Sequence, residues 1–368
     1  MPHRRQILTL ALLAPALAAC GRPPDLIGID NPELPADSVA RAREHRLFIM
    51  TTREASEVAG VFYGAGRAPE LGLASVDVTV PATHLAGHLE RPAHLPPDPR
   101  TEFAVIDPTV YRHDAAFIRA IDAELAKRPA DQRRLLLFVH GYNNTTSDAI
   151  LRLTQFVHDT GFPGVPVLFT WASAARAPRY VYDLNSALVA RSKLKQAAGI
   201  LGRTRATSVD VFAHSMGTFL AMEGFVDAQD AGRLDPRGRI ATIMLASPDI
   251  DIDLFRSQIT QLPAAFRAKM YLLISKDDRA LRASRVIAGG VPRVGAADAN
   301  ELEKLGVTVI DLSVIDDSSA GSHAKFAGSP EVVQLIGAGL NRAGRFGETT
   351  APGLGDLLAD IPVRILGE

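Results

Sequence analysis

The sequence predicts an α/β fold, a mainly parallel sheet with helices on both faces and an N-terminal β extension ahead of it. Three observations carry this. From residue 134 onward continuous apolar runs recur, beginning with RLLLFV at Arg134 to Val139, as in strands buried on both faces. Stretches with apolar residues at helical spacing separate these runs, and the alternation of strand and helix argues for parallel pairing. Upstream, ASVDVTV at Ala74 to Val80 alternates apolar and polar residues and stops at Pro81, the period-two pattern of a half-buried strand.

The N-terminus, MPHRRQILTLALLAPALAAC, has a basic start at His3-Arg4-Arg5, an apolar stretch from Ile7 to Leu17 and small residues before Cys20. This is the pattern of a secretory signal, too short for a spanning helix in the mature protein. Leu17-Ala18-Ala19-Cys20 resembles the bacterial lipobox, which makes Cys20 the expected lipidated residue after cleavage. Cys20 is the only cysteine of the chain, so no disulfide competes for it. Residues 1–20 therefore read as a lipoprotein signal peptide, and residues 21–45, with Pro23-Pro24, Pro32 and Pro35, as a tether. Residues 46–130 read as the N-terminal β extension and a lead-in helix, with strands at Leu47 to Thr52 and Ala74 to Val80. His84, His88 and His94, in the proline-rich stretch that follows, match no metal-ligand spacing and read as surface loop histidines.

Residues 131–342 hold the core. After the strand Arg134 to Val139, Thr146 or Ser147 is placed to cap a helix whose Ile150, Leu153, Phe156 and Val157 share one face and which Gly161 ends. Val165 to Trp171 is the next strand, and Asp183 opens the second helix. Val209 to Ala213, Ile240 to Ala246, Met270 to Ile274 and Val307 to Leu312 follow as strands, each with helical pattern behind it. Residues 343–368 form a C-terminal tail, with helical pattern near Leu354 to Leu358.

The stretch VDVFAHSMGTFL sets Ser215 between a buried strand and a helix, with Ala213 two residues before it and Gly217 two after. A nucleophile on a sharp strand-to-helix turn needs small residues there, because the turn brings neighbouring backbone into near contact. The amide of Met216, at the helix N-terminus, is one candidate oxyanion donor. FVHGYN, after the first buried strand, offers the other in the amide of Tyr142, with Gly141 allowing close approach. The base is His323, the only histidine after Ser215. The acid is expected in SKDDRAL. Asp278 is preferred to Asp277, since adjacent residues on an extended end point to opposite sides, and Asp249 in ASPDID is the fallback. His214 flanks the serine and should point away from it, in a structural role. Arg179, Tyr180 and Tyr182 either line the substrate pocket or pack the following helix.

HGYN (140–143), FTWAS (169–173), AHSMG (213–217), LASPDID (245–251), KDDRAL (276–281) and GSHAKF (321–326), in this order, resemble a group of bacterial α/β-hydrolases of unknown function. TTR at 51–53, residues 62–67 and VPATH at 80–84 extend the resemblance over most of residues 46–340. It implies the α/β-hydrolase fold, with Ser215 as nucleophile, Asp278 as acid and His323 as base. Lys325 stands where the family often has an aromatic residue, a departure that bears on the mouth of the site.

The function expected from these residues is that of a serine hydrolase. It is a carboxylesterase- or lipase-like enzyme with no metal or cofactor, taking a small-molecule ester or a lipid. The lipid anchor at Cys20 places it in the cell envelope, facing the periplasm. An acyltransferase on the same triad and a catalytically idle, membrane-tethered binding protein are the alternatives. A net charge of −1 over 368 residues provides no global field for nucleic acid.

Overall fold

The computed structural model describes residues 22–40, 42–315 and 322–341, and the backbone of 364–366. The expectations for the signal segment, Cys20 and the helical pattern near Leu354 lie outside these residues.

The strands are β1 (Arg43–Ala55), β2 (Tyr63–Val80), β3 (Ala104–Val110), β4 (Arg134–Val139), β5 (Val165–Thr170), β6 (Ser208–His214), β7 (Ile240–Ala246), β8 (Met270–Ile274), β9 (Thr308–Asp311) and β10 (Arg364–Leu366). They form one sheet in the order β10-β9-β8-β7-β6-β4-β5-β1-β2-β3. From β1 through β5, β4, β6, β7 and β8 to β9 every neighbouring pair is parallel. β2 and β3 add antiparallel edges at one side and β10 at the other. The N-terminal β extension is thus continuous with the core sheet, because β1 pairs directly with β5.

The apolar run of β4 shows why the central strands carry no polar alternation. Leu135, Leu137 and Val139 join one core cluster, while Leu136 and Phe138 join another on the opposite face. The first cluster packs under α1 (Asp114–Ala126), α3 (Tyr180–Leu201), α4 (Met216–Asp230) and α5 (Ile252–Thr260), through Phe117, Leu194, Leu220 and Phe255. The second packs under α2 (Thr146–Thr160) and the C-terminal helix Pro330–Asn341, through Ile150, Phe156 and Leu335.

Several local expectations are corrected. The cap of α2 is Thr145, not Thr146 or Ser147. Thr145 and Asp148 form a reciprocal capping box, while Thr146 donates its hydroxyl to the Tyr63 carbonyl (2.7 Å) and Ser147 accepts from the Leu26 amide (3.3 Å). α3 starts at Tyr180, and Asp183 in its first turn bonds back to the β5–α3 loop. From Arg22 on, the segment expected as a tether lies against the fold. Leu26 and Ile27 are buried, and Ile27 bridges to Gly60 and Val105. An apolar pair among prolines has found apolar surface to cover.

His84 is not a surface loop histidine either. Its ring is buried, with Glu90 and Asp159 each 2.6 Å from its two nitrogens. Burial alone would lower its pKa, but the two carboxylates outweigh it and raise the group above its usual value.

Candidate functional site

The turn at Ser215 is strained. Its φ of 52° and ψ of −125° lie in a region that costs a non-glycine residue about 1–3 kcal/mol. Neighbouring elements hold it there. The Ser215 amide donates to Ala246 of β7 (2.9 Å), and its carbonyl accepts from the Thr218 amide (2.9 Å) and hydroxyl (2.6 Å). Small flanking residues are a steric necessity. A Cβ on Gly217 would sit 2.4 Å from the His140 carbonyl oxygen, and one on Gly141 would sit 2.8 Å from the Cβ of Ser215. The loop after β4 and the turn after β6 therefore touch at the serine itself.

Among the described residues, the amides of Tyr142 and Met216 have no hydrogen-bond acceptor. The loop that carries Tyr142 is pinned from beneath by Arg53, a buried guanidinium on β1. Arg53 donates to the carbonyls of Gly64 (3.0 Å), Ser173 (3.0 Å) and Asn144 (2.7 Å) and to the Thr170 hydroxyl (2.8 Å). Burial draws its pKa down to about 10, with Asp183 and Asp148 opposing, so it stays charged at neutral pH. Thr170 passes the contact to His140 Nε2 (2.9 Å), which also accepts from the Trp171 amide (3.2 Å). The His140 proton therefore belongs on Nδ1, facing the Gly141 carbonyl at 2.8 Å. Burial and the Arg53 charge push the pKa of His140 down to about 3, so the ring is neutral. Asp183 completes the frame by accepting from the amides of Asn143 (3.3 Å) and Ala174 (2.6 Å) and from the Ser173 hydroxyl.

The three candidate acids occupy different surroundings. Asp278 is fully buried, and its Oδ2 lies 2.7 Å from Nδ1 of His323. Its Oδ1 accepts from the Leu281 amide (3.0 Å) and so caps α6 (Arg279–Ile287), which fixes the carboxylate. Asp277 turns the other way, to Ser322 (2.7 Å), Ser275 and Lys325 (3.0 Å). Despite some burial, these hydrogen bonds and the ammonium hold its pKa below the usual carboxylate value. Asp249 is engaged by Tyr180 (3.0 Å), Ser284 (2.8 Å) and Arg293 (3.2 Å).

His323 comes to the same rim as Ser215 through its backbone. Its carbonyl accepts from His214 Nε2 (3.0 Å) and the Ser247 hydroxyl (3.2 Å). The His214 ring packs against His323 at 4.8 Å between centroids and against Phe326 at 4.7 Å. Burial and proximity to His323 hold the His214 pKa well below its usual value. Among the described residues neither the Ser215 hydroxyl nor Nε2 of His323 has a hydrogen-bond partner. The Lys325 ammonium is buried between Ser275 (3.0 Å), Asp277 (3.0 Å) and the Leu312 carbonyl (2.9 Å). Tyr180 packs edge-on against Tyr142 at 5.4 Å, and Tyr182, beneath the Arg67 guanidinium, donates to the Ala65 carbonyl (3.2 Å).

A family model described as an alpha/beta hydrolase of unknown function matches residues 114–339. The chain belongs to that family. The sheet order and the flanking helices are those of an α/β-hydrolase fold. No curated protein matches the chain. Solved structures similar to this family member include a fungal esterase from Rhizomucor miehei, at 11% identity and a TM-score of 0.37, covering 86% of this chain and 85% of that one. A hyperthermophilic esterase of Pyrobaculum calidifontis is similar at 11% identity and a TM-score of 0.35, covering 82% and 83%. An esterase of Pyrococcus furiosus is similar at 10% identity and a TM-score of 0.34, covering 86% and 97%. Likenesses this distant carry nothing about chemistry.

The sequence offers no local rule that gives Arg53, Thr170 or Trp171 a place in the site, and it marks Asp183 only as the start of a helix. Arg53, Thr170 and Trp171 lie in the TTR and FTWAS blocks, but a buried arginine that holds a loop from another strand has no local spacing rule.

Proposed function

We propose that the chain is a serine hydrolase of carboxylic esters, with Ser215 as nucleophile, His323 as general base and acid, and Asp278 as the orienting carboxylate. One observation carries the reading. The buried Asp278 lies 2.7 Å from the imidazole of the only histidine beyond the serine, and that histidine is tied by its backbone to the neighbours of a strained Ser215. With Nδ1–H donated to Asp278, the His323 tautomer leaves Nε2 as acceptor. Ser215 Oγ adds to the ester carbonyl while its proton passes to Nε2. The amides of Tyr142 and Met216 receive the developing oxyanion. Collapse breaks the bond to the alkoxy oxygen, which leaves with the proton from His323, and water then repeats the sequence to release the acid. The unbonded hydroxyl in the free protein fits this chemistry, because catalytic hydrogen bonds often tighten only once substrate is bound.

The substrate class proposed is a small-molecule or lipid ester at the cell envelope, with the chain held at a membrane, facing the periplasm, through Cys20. The test is fluorophosphonate labelling together with turnover of p-nitrophenyl esters of graded chain length. Labelling and turnover that both vanish in Ser215→Ala and His323→Ala support the reading. A background rate equal in wild type and Ser215→Ala removes it.

A further inference from the structure

We propose that the gap between α3 and α4 is a binding site for a single-chain anionic amphiphile, a free long-chain carboxylate. The gap is a cavity of about 410 Å³, at the small end of the roughly 300–1,000 Å³ typical of small-molecule sites and sized for one chain rather than two. Leu137 of β4, Val211 of β6, Leu194 of α3 and Phe225 of α4 give it an apolar interior. Its mouth lies at the N-terminal ends of β6 and β7, by Val209, Leu234 and Ile240, whereas Ser215 follows the C-terminal end of β6. None of Ser215, Met216, Tyr142 or His323 lines it.

Charge complementarity names the occupant. Lys195, Arg203, Arg233, Arg237 and Arg239 surround the opening, against a single carboxylate, Asp235. That carboxylate is already committed to Lys269 (3.0 Å) and to the amides of Arg239 (2.7 Å) and Ile240 (3.1 Å). Arg203 is paired with Asp114 (2.6 Å), and Arg237 donates to the Gly202 carbonyl (2.8 Å). The side chains of Lys195 and Arg233 have no partner among the described residues. An inorganic anion would leave the apolar interior empty, and a neutral hydrocarbon would leave the cations unanswered. An acyl chain with a terminal carboxylate satisfies both, gaining from each methylene taken out of water and from the ammonium and guanidinium at the mouth. A second copy of this chain fits less well, because a two-fold interface would set the basic rim against itself.

Gly199 gives access to a clean test, since a Cβ there meets nothing within 4 Å. A phenylalanine there adds a ring at a residue that lines the cavity without displacing packed neighbours. Calorimetric titration of dodecanoate, below its micelle concentration, is carried out on the unlabelled protein, which cannot turn over a free carboxylate because it has no ester bond to break. One dodecanoate is expected per chain. Affinity should fall at least tenfold in Gly199→Phe and at least fivefold in the Lys195→Glu/Arg233→Glu double variant, and dodecyltrimethylammonium should bind at least tenfold more weakly than dodecanoate. Thermal melting verifies that Gly199→Phe is folded. If it is not, the exposed charge reversals decide alone. Undiminished dodecanoate binding in the variants, equal binding of the cationic amphiphile, or loss of the dodecanoate site after fluorophosphonate labelling of the wild type would each overturn the proposal. So would a concentration-dependent dimer that Gly199→Phe abolishes, since the cavity would then belong to a second copy.

Discussion

Gly141→Ala probes the contact on which the proposed chemistry depends, that between the loop after β4 and the serine turn. The added methyl would sit 2.8 Å from the Cβ of Ser215, 3.0 Å from Nδ1 of His214 and 3.1 Å from the His214 carbonyl oxygen, where ordinary contact begins at 3.4 Å. None of these atoms is the free end of a flexible side chain. Ser215 is held at φ 52°, and the His214 ring is fixed by its 3.0 Å bond to the His323 carbonyl. Loop and turn must therefore separate by about 0.6 Å, carrying the Tyr142 amide away from the place where the proposed chemistry would form an oxyanion. A misplacement of about 1 Å in a catalytic constellation costs on the order of 100-fold. A 10- to 100-fold fall in kcat/KM is therefore expected, about 1.4–2.7 kcal/mol of transition-state stabilisation. Overpacking should add a stability loss of about 1–3 kcal/mol. The assay is p-nitrophenyl acetate hydrolysis beside thermal melting, with Gly199→Ala, whose Cβ meets nothing within 4 Å, as the control that keeps its rate. Activity within twofold of wild type and an unchanged melt for Gly141→Ala would refute the reasoning, since the two segments could not then be in contact at the reacting serine.

Asp278→Asn keeps an oxygen able to cap α6, so melting should change little, while kcat falls on the order of 10³–10⁴-fold as the His323 tautomer is lost; steady-state kinetics with retained rate would assign the acid elsewhere. Asp277→Ala should destabilise more than Lys325→Met, as read by urea unfolding. The first strands an ammonium that is 1% exposed, at about 3–5 kcal/mol, whereas the second leaves a carboxylate 45% exposed to water; the reverse order would contradict the burial. Acidification should destabilise the fold. His140, held down to about 3 by burial and Arg53, and His45, held down to about 4 by burial and His158, are neutral when folded but take up protons when unfolded below about pH 6.5. Their contribution is complete above that pH and is lost as pH falls towards 4, by roughly 1.4 kcal/mol per unit per histidine. His84, raised by its carboxylates, acts in the opposite sense and offsets part of the loss. Equal urea midpoints at pH 7.5 and pH 5 would argue against buried neutral rings.

The half of the molecule that carries Ser215 was readable because many of its signals are local. The run Arg134 to Val139 had to be a strand buried on both faces, since no polar residue alternates within it, and the structure divides its side chains between two cores. Strand, turn and helix around Ser215 could be read from small residues two positions either side, although the atoms that demand them, the Val139 and His140 carbonyl oxygens against Gly217, come from the end of β4. Capping was less legible. Thr145, Thr146 and Ser147 are interchangeable by type, and only the Tyr63 carbonyl and the Leu26 amide, both remote in sequence, determine which hydroxyl is left for the helix. His84 was misjudged for the same reason, its partner Asp159 lying 75 residues away.

By itself, then, the order of residues determined the strand–helix alternation, the sharp turn at Ser215 and the identity of the one histidine beyond it. These follow from periodicity, from the small residues that flank the serine and from elimination, all of which are read along the chain. Tertiary structure alone decided that Asp278 meets His323 while Asp277 turns to a buried Lys325 and Asp249 to Arg293. It also decided that Arg53, from the far N-terminal strand, carries the Tyr142 loop, and that α3 and α4 leave a basic-rimmed cavity between them. Each of these is a choice of partner among chemically similar groups, and such a choice is made only when folding brings one of them within about 3 Å and buries the rest of the contact.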